Sequence, residues 1–357
     1  MDFGVNLFPV LSPAEKSASD YFDESLGMVG LAERLGFEHV QIVEHHGSPY
    51  GGYSPDPVTF LAAAARSTSR IRLATGAVIP AFIHPVKLAG KLAMLDNLCH
   101  GRLDVGFGRA FLPDEFELFG VPMAESHARF TEGIEACRRL WSEQDVVWDG
   151  PFHRFGPVTL LPRPVQRPHP PIFVASATSP DTCAAAGKAG HFLQAVPSVT
   201  TTGRLQEMLT AYREARAAAG HDPAATRIQI KYTCYLSADR AEALRTGETY
   251  ERNYVAKMGE AIRSWATTRS AQYPGYEKFV DKVAGYDFGR SLADDKVLAG
   301  TPDDVRGQLD RIAERFGDDV TVSLQFNPGY LPVGQARAAM EMFARHFMPV
   351  SAAVPVP

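Results

Sequence analysis

Eight short apolar runs recur along this chain, and most are followed by a stretch in which apolar side chains return with helical spacing. The runs start near residues 1, 39, 71, 103, 172, 192, 228 and 320. Strands that alternate with helices favour a parallel sheet, and eight of them favour closure of that sheet on itself. The expected fold is therefore of the α/β class, a (β/α)8 TIM barrel with insertions. An open doubly wound sheet is the alternative, but no dinucleotide fingerprint follows the first strand. Gly106-Phe107-Gly108 is the nearest match, with Phe111 where the third glycine should stand, and no GxxxxGK[ST] loop occurs.

The spacing predicts strands at 3–8, 39–43, 71–79, 103–108, 172–175, 192–196, 228–236 and 320–326. Helices are predicted at 21–35, 58–66, 85–98, 129–141, 181–189, 203–219, 241–265 and 335–347, with a further helix start at Thr301-Pro302-Asp303-Asp304. There Thr301 suits the N-cap, Pro302 the first helical position and Asp304 the reciprocal cap. Two segments break the rhythm. Residues 145–170 carry Gly150-Pro151, Gly156-Pro157 and repeated Pro-Arg, and read as a surface excursion with short strands. Residues 266–297 are polar and aromatic with turns at Pro274-Gly275 and Gly285, and read as a candidate lid. The expected organisation is one barrel domain over 1–348 and a loose tail over 349–357.

Bulk properties narrow the function classes. The chain has 357 residues, is 45% hydrophobic and carries a net charge of −5 with both signs interspersed, so neither nucleic acid nor anionic lipid is an expected partner. Cys99, Cys137, Cys183 and Cys234 form no CxxC pair, and read as free thiols in a reducing compartment, with no metal site. The amino terminus lacks a basic region before an apolar stretch, and no apolar run approaches the ~18 residues of a span. A cytoplasmic protein is expected.

The chemistry concentrates where predicted strands end. Glu44-His45-His46 closes the second, and neighbouring strand residues point to opposite faces, so one histidine at most faces the barrel axis. Rim histidines satisfied by solvent weigh about evenly with a catalytic role. Thr75-Gly76-Ala77 lies in the third strand, where a glycine marks either a bulge or close approach of a ligand. Arg109 follows Gly108 at the end of the fourth, and a guanidinium there holds a phosphate through two parallel hydrogen bonds or joins a surface salt bridge. Ser176-Ala177-Thr178-Ser179 leads into a helix with Ser179 as N-cap and Pro180 first, so small residues leave amides uncovered at a positive helix end. With Arg109, these residues favour a phosphate cradle over a plain helix start. His84, a cap or a rim contact, is assigned no chemistry.

These residues resemble the bacterial luciferase-like, flavin-dependent monooxygenases over nearly the whole chain. Glu44-His45-His46, Thr75-Gly76-Ala77 with His84-Pro85-Val86, Gly101-Arg102-Leu103 with Gly106-Phe107-Gly108-Arg109, and Phe173-Val174-Ala175-Ser176 carry the resemblance. It implies flavin mononucleotide (FMN), in its reduced form, bound across the carboxyl-terminal rim. It implies His45 as the catalytic histidine, and Gly76-Ala77 as the place of a non-proline cis peptide against the flavin ring, with Thr75 and Gly108 beside it. Arg109 and Ser176, Ala177, Thr178 and Ser179 correspond to the phosphate site, and Glu115 to an acidic residue near the ring. Gly108 stands where luciferase has its reactive cysteine, Ser176 replaces a glutamate, Leu112 a tyrosine, and Pro180 a threonine that contacts phosphate. Those replacements speak against aldehyde oxidation with light emission and leave flavin binding.

The resemblance implies a two-component monooxygenase. Reduced FMN from a separate flavin reductase meets O2, forms a peroxyflavin or hydroperoxyflavin at ring carbon 4a, and oxygenates a small organic substrate. Imidazole changes charge near neutral pH, which suits a histidine to shuttling a proton. Tyr273, Tyr276, Phe279, Tyr286 and Phe288 are expected to line the substrate cavity, or else to be ordinary packing. The alternatives are an F420-dependent hydride-transfer oxidoreductase and a non-catalytic flavin-binding subunit. Helices around Leu61-Ala62-Ala63-Ala64-Ala65 build the family's dimer interface, so a homodimer is expected unless that helix packs flat on its own barrel. Aldehydes, ketones, aromatic polyketides and amines stay open as substrates.

Overall fold

All eight predicted runs are strands, and all are parallel. The computed structural model describes residues 1–348, so the expected tail lies outside the described residues. The strands are β1 (Asp2–Leu7), β2 (His39–Ile42), β3 (Arg72–Thr75), β4 (Leu103–Phe107), β5 (Val146–Asp149), β6 (Arg154–Val158), β7 (Ile172–Ser176), β8 (Phe192–Ala195), β9 (Ile228–Leu236), β10 (Leu298–Gly300) and β11 (Val320–Gln325). Pairing runs β1–β2–β3–β4–β7–β8–β9–β11 and returns to β1, which closes the barrel. β5 and β6 form a separate antiparallel hairpin, the excursion expected over 145–170. β10, which the spacing does not announce, adds to the far end of β9 at Cys234–Leu236.

The two faces of each strand bury different chemistry. Val5, Leu7, Val40, Ile42, Leu73, Val105, Phe107, Val174, Leu193, Ile230, Val322 and Leu324 belong to one continuous apolar core shared with the helices. The alternate positions hold Asn6, His39, Gln41, Asp104, Gln194, Gln229, Ser323 and Gln325, all buried. Period two thus puts the greasy face under the helices and a polar set inside the barrel. Cross-barrel bonds tie that set together. Gln194 Nε2 donates to Gln229 Oε1 at 2.9 Å and to Gln41 Oε1 at 3.3 Å.

Local helix signals work as written. Thr301 and Asp304 form a capping box on the helix Pro302–Phe316, Ser179 caps Pro180–Lys188, and His84 caps Pro85–Leu98. The helix predicted over 241–265 ends at Ala261 and continues as a short turn, Arg263–Ala266. The segment 266–297 contains two short helices, Phe279–Ala284 and Phe288–Ala293. The third strand is shorter than predicted and stops at Thr75. The four cysteines are free and buried, and no helix among the described residues is long and apolar enough to cross a membrane.

An ion-pair cluster closes the amino-terminal end of the barrel. Buried Asp104 accepts from Arg72 Nη2 at 2.5 Å and from Arg227 Nη2 at 2.7 Å, and Arg227 also reaches Glu38 Oε1 at 3.0 Å. Burial pushes the Glu38 carboxyl up, but hydrogen bonds and charge from His39 and Arg227 outweigh it and hold the group at about 2, below its ordinary 4.5. A depressed carboxyl stabilises the fold above its unfolded value and loses that contribution as pH falls toward its folded value. The thermal midpoint of Glu38→Gln should therefore fall less steeply than that of the parent between pH 4.5 and pH 2. Equal slopes in a melting series would contradict the assignment.

Candidate active site

At the end of β3 the backbone leaves the sheet. β3 pairs with β4 only at Leu73 and Ala74. The Thr75 hydroxyl then takes over the ladder, accepting from the Gly106 amide at 2.8 Å and donating to the Gly106 carbonyl at 2.9 Å. The next bond, Gly76–Ala77, is a cis peptide. Regular pairing resumes where the Val78 amide donates to the Gly106 carbonyl and the Gly108 amide to the Val78 carbonyl. Only glycine fits at 106, because a Cβ there would lie 2.2 Å from the Thr75 oxygen. The carbonyls of Thr75 and Gly76 lose their sheet partners and are satisfied across the barrel instead. Thr75 accepts from Gln194 Nε2 at 3.1 Å and Gly76 from Lys231 Nζ at 2.5 Å. A buried carbonyl without a donor would cost ~1–3 kcal/mol, so these two side chains hold the freed backbone in place.

His45 and His46 diverge, as the alternation predicts. The short helix Pro113–Leu118 brings Glu115 into the barrel mouth, where it is 2% exposed. One carboxylate oxygen accepts from His45 Nδ1 at 3.0 Å and from the His46 amide at 2.9 Å. A proton placed on Nδ1 by that bond leaves Nε2 as the working nitrogen, and among the described residues Nε2 has no protein partner. Phe8, Tyr50 and Phe111 pack around the ring. Gly51 crosses directly over it with φ +84, and a Cβ there would meet His45 at 2.7 Å. Burial, opposed by the hydrogen bond with Tyr254 and reinforced by the Glu115 charge, pushes the Tyr50 phenol up to about 12, so it stays neutral beside the histidine. His46 instead faces outward to Glu44 at 3.2 Å and rests edge-on against Phe119.

The candidate phosphate residues lie under the 266–297 segment. Arg109 Nη2 donates to the Gln272 carbonyl at 2.8 Å, and its guanidinium lies 4.2 Å over the Tyr273 ring. Tyr273 donates to the Ala110 carbonyl, and Trp265 Nε1 to the Phe111 carbonyl at 3.0 Å. Tyr276 has the Thr178 side chain as a hydrogen-bond neighbour and Arg109 as a charged one. Ser179 accepts from the Thr182 amide at 3.2 Å, Ser176 donates to the Ser179 carbonyl at 3.3 Å, and the Thr178 carbonyl accepts from Arg204 Nε at 3.0 Å. Arg109 and the loop through Ala177 and Thr178 thus share one cover.

Of the five aromatics expected to line a cavity, Tyr273, Tyr276 and Phe279 join the rim cluster with Phe8, Tyr50, Phe111 and Phe116. Tyr286 and Phe288 pack elsewhere, with Tyr235, Val297 and Ala299. For these two the packing reading is the correct one, because their part of the segment folds against β9 and β10. Glu115, expected beside the ring, spends its near oxygen on His45 and His46. Lys231, Gln194, Gln41 and Arg204 join the site beyond the residues that the sequence singles out. For the first three the signal is a lysine and glutamines at alternate, inward positions of β9, β8 and β2, whereas Arg204, on the helix Thr202–Ala218, carries no such signal. Among the described residues no three His, Cys, Asp or Glu side chains converge as a metal site would require.

A closed (β/α)8 barrel with a carboxylate-oriented imidazole and side-chain-held backbone at its carboxyl-terminal mouth defines a barrel enzyme with its site in the βα loops. The chain belongs to the luciferase-like monooxygenases, whose family description matches residues 1–319. The crystal structure of monooxygenase RslO1 from Streptomyces bottropensis is 51% identical, with 98% of this chain and 99% of that one covered at a TM-score of 0.89. The oxygenating constituent of 3,6-diketocamphane monooxygenase from Pseudomonas putida, a type II Baeyer-Villiger monooxygenase solved with FMN, shares the fold at TM-score 0.79 and 22% identity, over 98% of each chain. The oxygenase component of the flavin-dependent trigonelline monooxygenase of Acinetobacter baylyi is 34% identical over 185 residues, a match spanning 51% of this chain and about half the length of that relative, 51%.

Proposed function

We propose that this chain is the oxygenase component of a two-component monooxygenase that takes reduced FMN from a separate flavin reductase and uses O2 to oxygenate a small organic substrate. The observation that carries the reading is the meeting, at one barrel mouth, of the His45–Glu115 pair with the backbone of Thr75–Ala77 released from its sheet. The name of the trigonelline relative, an oxygenase component, supports a separate reductase.

The residues present suit the cofactor. Among the described residues, buried Gln41 Nε2, Asn6 Oδ1 and Asn327 Oδ1 have no hydrogen-bond partner, and a heterocycle edge that both donates and accepts answers such a set. Arg109 and the amides of 176–179 at the start of Pro180–Lys188 suit a terminal phosphate. When bound, the reduced flavin supplies the electrons that activate O2, one oxygen atom going to the substrate and the other leaving as water. The protein does the rest. Arg109 and Ser176, Ala177, Thr178 and Ser179 bind the phosphate, while Thr75, Gly76, Ala77 and Gly108 offer a surface with little side chain to the ring. His45 Nε2 gives or takes a proton at the reacting atoms and Glu115 keeps it aimed. Phe8, Tyr50, Phe111, Tyr273 and Tyr276 keep water out.

A homodimer is part of this proposal. Leu61, Ala64 and Ala65 are buried on the chain's own barrel, so the helix Pro57–Arg66 offers Thr59, Ala63 and Arg66 outward.

Oxygen uptake is the test. With reduced FMN supplied and grouped candidate substrates screened, the account expects uptake coupled to an oxygenated product. An F420-dependent secondary alcohol dehydrogenase shares the fold at TM-score 0.73 and 17% identity, over 97% of this chain and 98% of that one. Tight F420 binding with hydride transfer and no oxygen uptake would overturn the proposal in its favour.

A further inference from the structure

Lys231 points into the barrel, half-buried, with no carboxylate partner among the described residues. It stands on β9 in register with Ser323, and its ammonium makes a hydrogen bond to the Gly76 carbonyl at 2.5 Å. A Cβ added at Gly76 would lie 3.0 Å from Lys231 Nζ and 2.7 Å from Gln41 Oε1, so the ammonium lies close behind this backbone. The half-buried cations at the opposite end of the barrel are differently placed: Arg227 and Arg72 share the Asp104 carboxylate. An ammonium taken out of water without a counter-ion is strongly disfavoured, and a neutral side chain could satisfy one carbonyl. Among the described residues the arrangement lacks a negative charge, and the surface it backs is the one on which the proposed cofactor's ring rests.

We propose that Lys231 is a positioning residue for the reduced cofactor: from behind Gly76 it supplies the counter-charge to the anionic reduced flavin ring, and so makes the chain bind reduced FMN in preference to oxidised FMN. The inference rests on the FMN reading above. Reduced flavin carries a negative charge on its pyrimidine edge at neutral pH and oxidised flavin does not, so a fixed cation discriminates between them. Burial alone pushes the Lys231 ammonium down to about 7, as expected of a cation whose partner is still to arrive. The anion and the proton on Nζ then favour each other's binding by the same factor. A chain that receives its cofactor already reduced gains from that bias, because oxidised FMN competes less for the site.

Two variants separate charge from hydrogen bonding. Lys231→Met removes both, and Lys231→Gln keeps an N–H donor for the Gly76 carbonyl without the charge. Oxidised and reduced FMN are titrated into parent and variants under anaerobic conditions, and the midpoint potential of bound FMN is measured. Both variants should lose at least about 10-fold of the reduced-over-oxidised affinity ratio, equivalent to a potential more negative by about 30 mV for a two-electron couple. A ratio unchanged in both variants overturns the proposal. So does an equal weakening of both redox forms by Lys231→Met that Lys231→Gln restores, since that pattern belongs to the hydrogen bond alone. If the parent chain binds neither form of FMN, the FMN reading itself falls and this inference with it.

Discussion

Replacing His45 with alanine is expected to lower turnover by about 100- to 10,000-fold, the usual loss when a positioned acid–base group is removed, and to leave the affinity for reduced FMN within a few-fold of the parent. The separation follows from the geometry. His45 is fixed by Glu115 on Nδ1 and by aromatic packing on its sides, and its Nε2 is the atom free to meet a proton. Its removal takes away chemistry and little binding surface. Glu115→Gln is the companion test. The amide oxygen can still accept from Nδ1, but the negative charge that supports the imidazolium is gone, so turnover should fall by roughly 10-fold, less than in His45→Ala. Rapid-mixing measurement of product formation from reduced FMN, O2 and substrate reads both effects. Normal turnover in His45→Ala would remove the histidine from the mechanism.

Arg109→Ala should weaken FMN by roughly 10- to 150-fold, the equivalent of the ~1.5–3 kcal/mol carried by hydrogen bonds to a charged group. The guanidinium already has a carbonyl acceptor in Gln272 and a ring to lie on in Tyr273, so it is held in place before any phosphate arrives. That pre-ordering lowers the entropy lost on binding. Arg109→Lys keeps the charge but not the planar fork, and should fall between the parent and the alanine variant. Riboflavin, which lacks the phosphate, should bind parent and Arg109→Ala alike. Fluorescence titration reads all of these, and an FMN dissociation constant unmoved by Arg109→Ala would place the phosphate elsewhere.

The barrel was legible because its signals are local and periodic. Each strand alternates a greasy outer side with an inner one, and caps such as Ser179 and Thr301 announce their helices within four residues. What was not legible depends on closure. Residues 71–79 read as one apolar run, but the Thr75 hydroxyl takes the place of a backbone partner at Gly106, and the strand stops there. Lys231 in an apolar strand looks like a solvent-facing residue until β8, β9 and β11 come together and turn it inward. The acidic residue at 115 was found by resemblance, whereas its hold on His45, 70 positions away, needed the fold. Tyr286 and Phe288 share the composition of the rim aromatics but pack against β9 and β10, a difference that composition does not encode.

The central claim is that one ligand spans this mouth, its phosphate at Arg109 and its ring on the backbone of Gly76 and Ala77. A crystal structure of the chain with FMN tests it most directly. The account predicts the phosphate within hydrogen-bond distance of the Arg109 guanidinium and the amides of 177–179, with the ring against Gly76–Ala77 and in reach of His45 Nε2. A ring lodged away from Gly76, or a phosphate held by other residues, would contradict it.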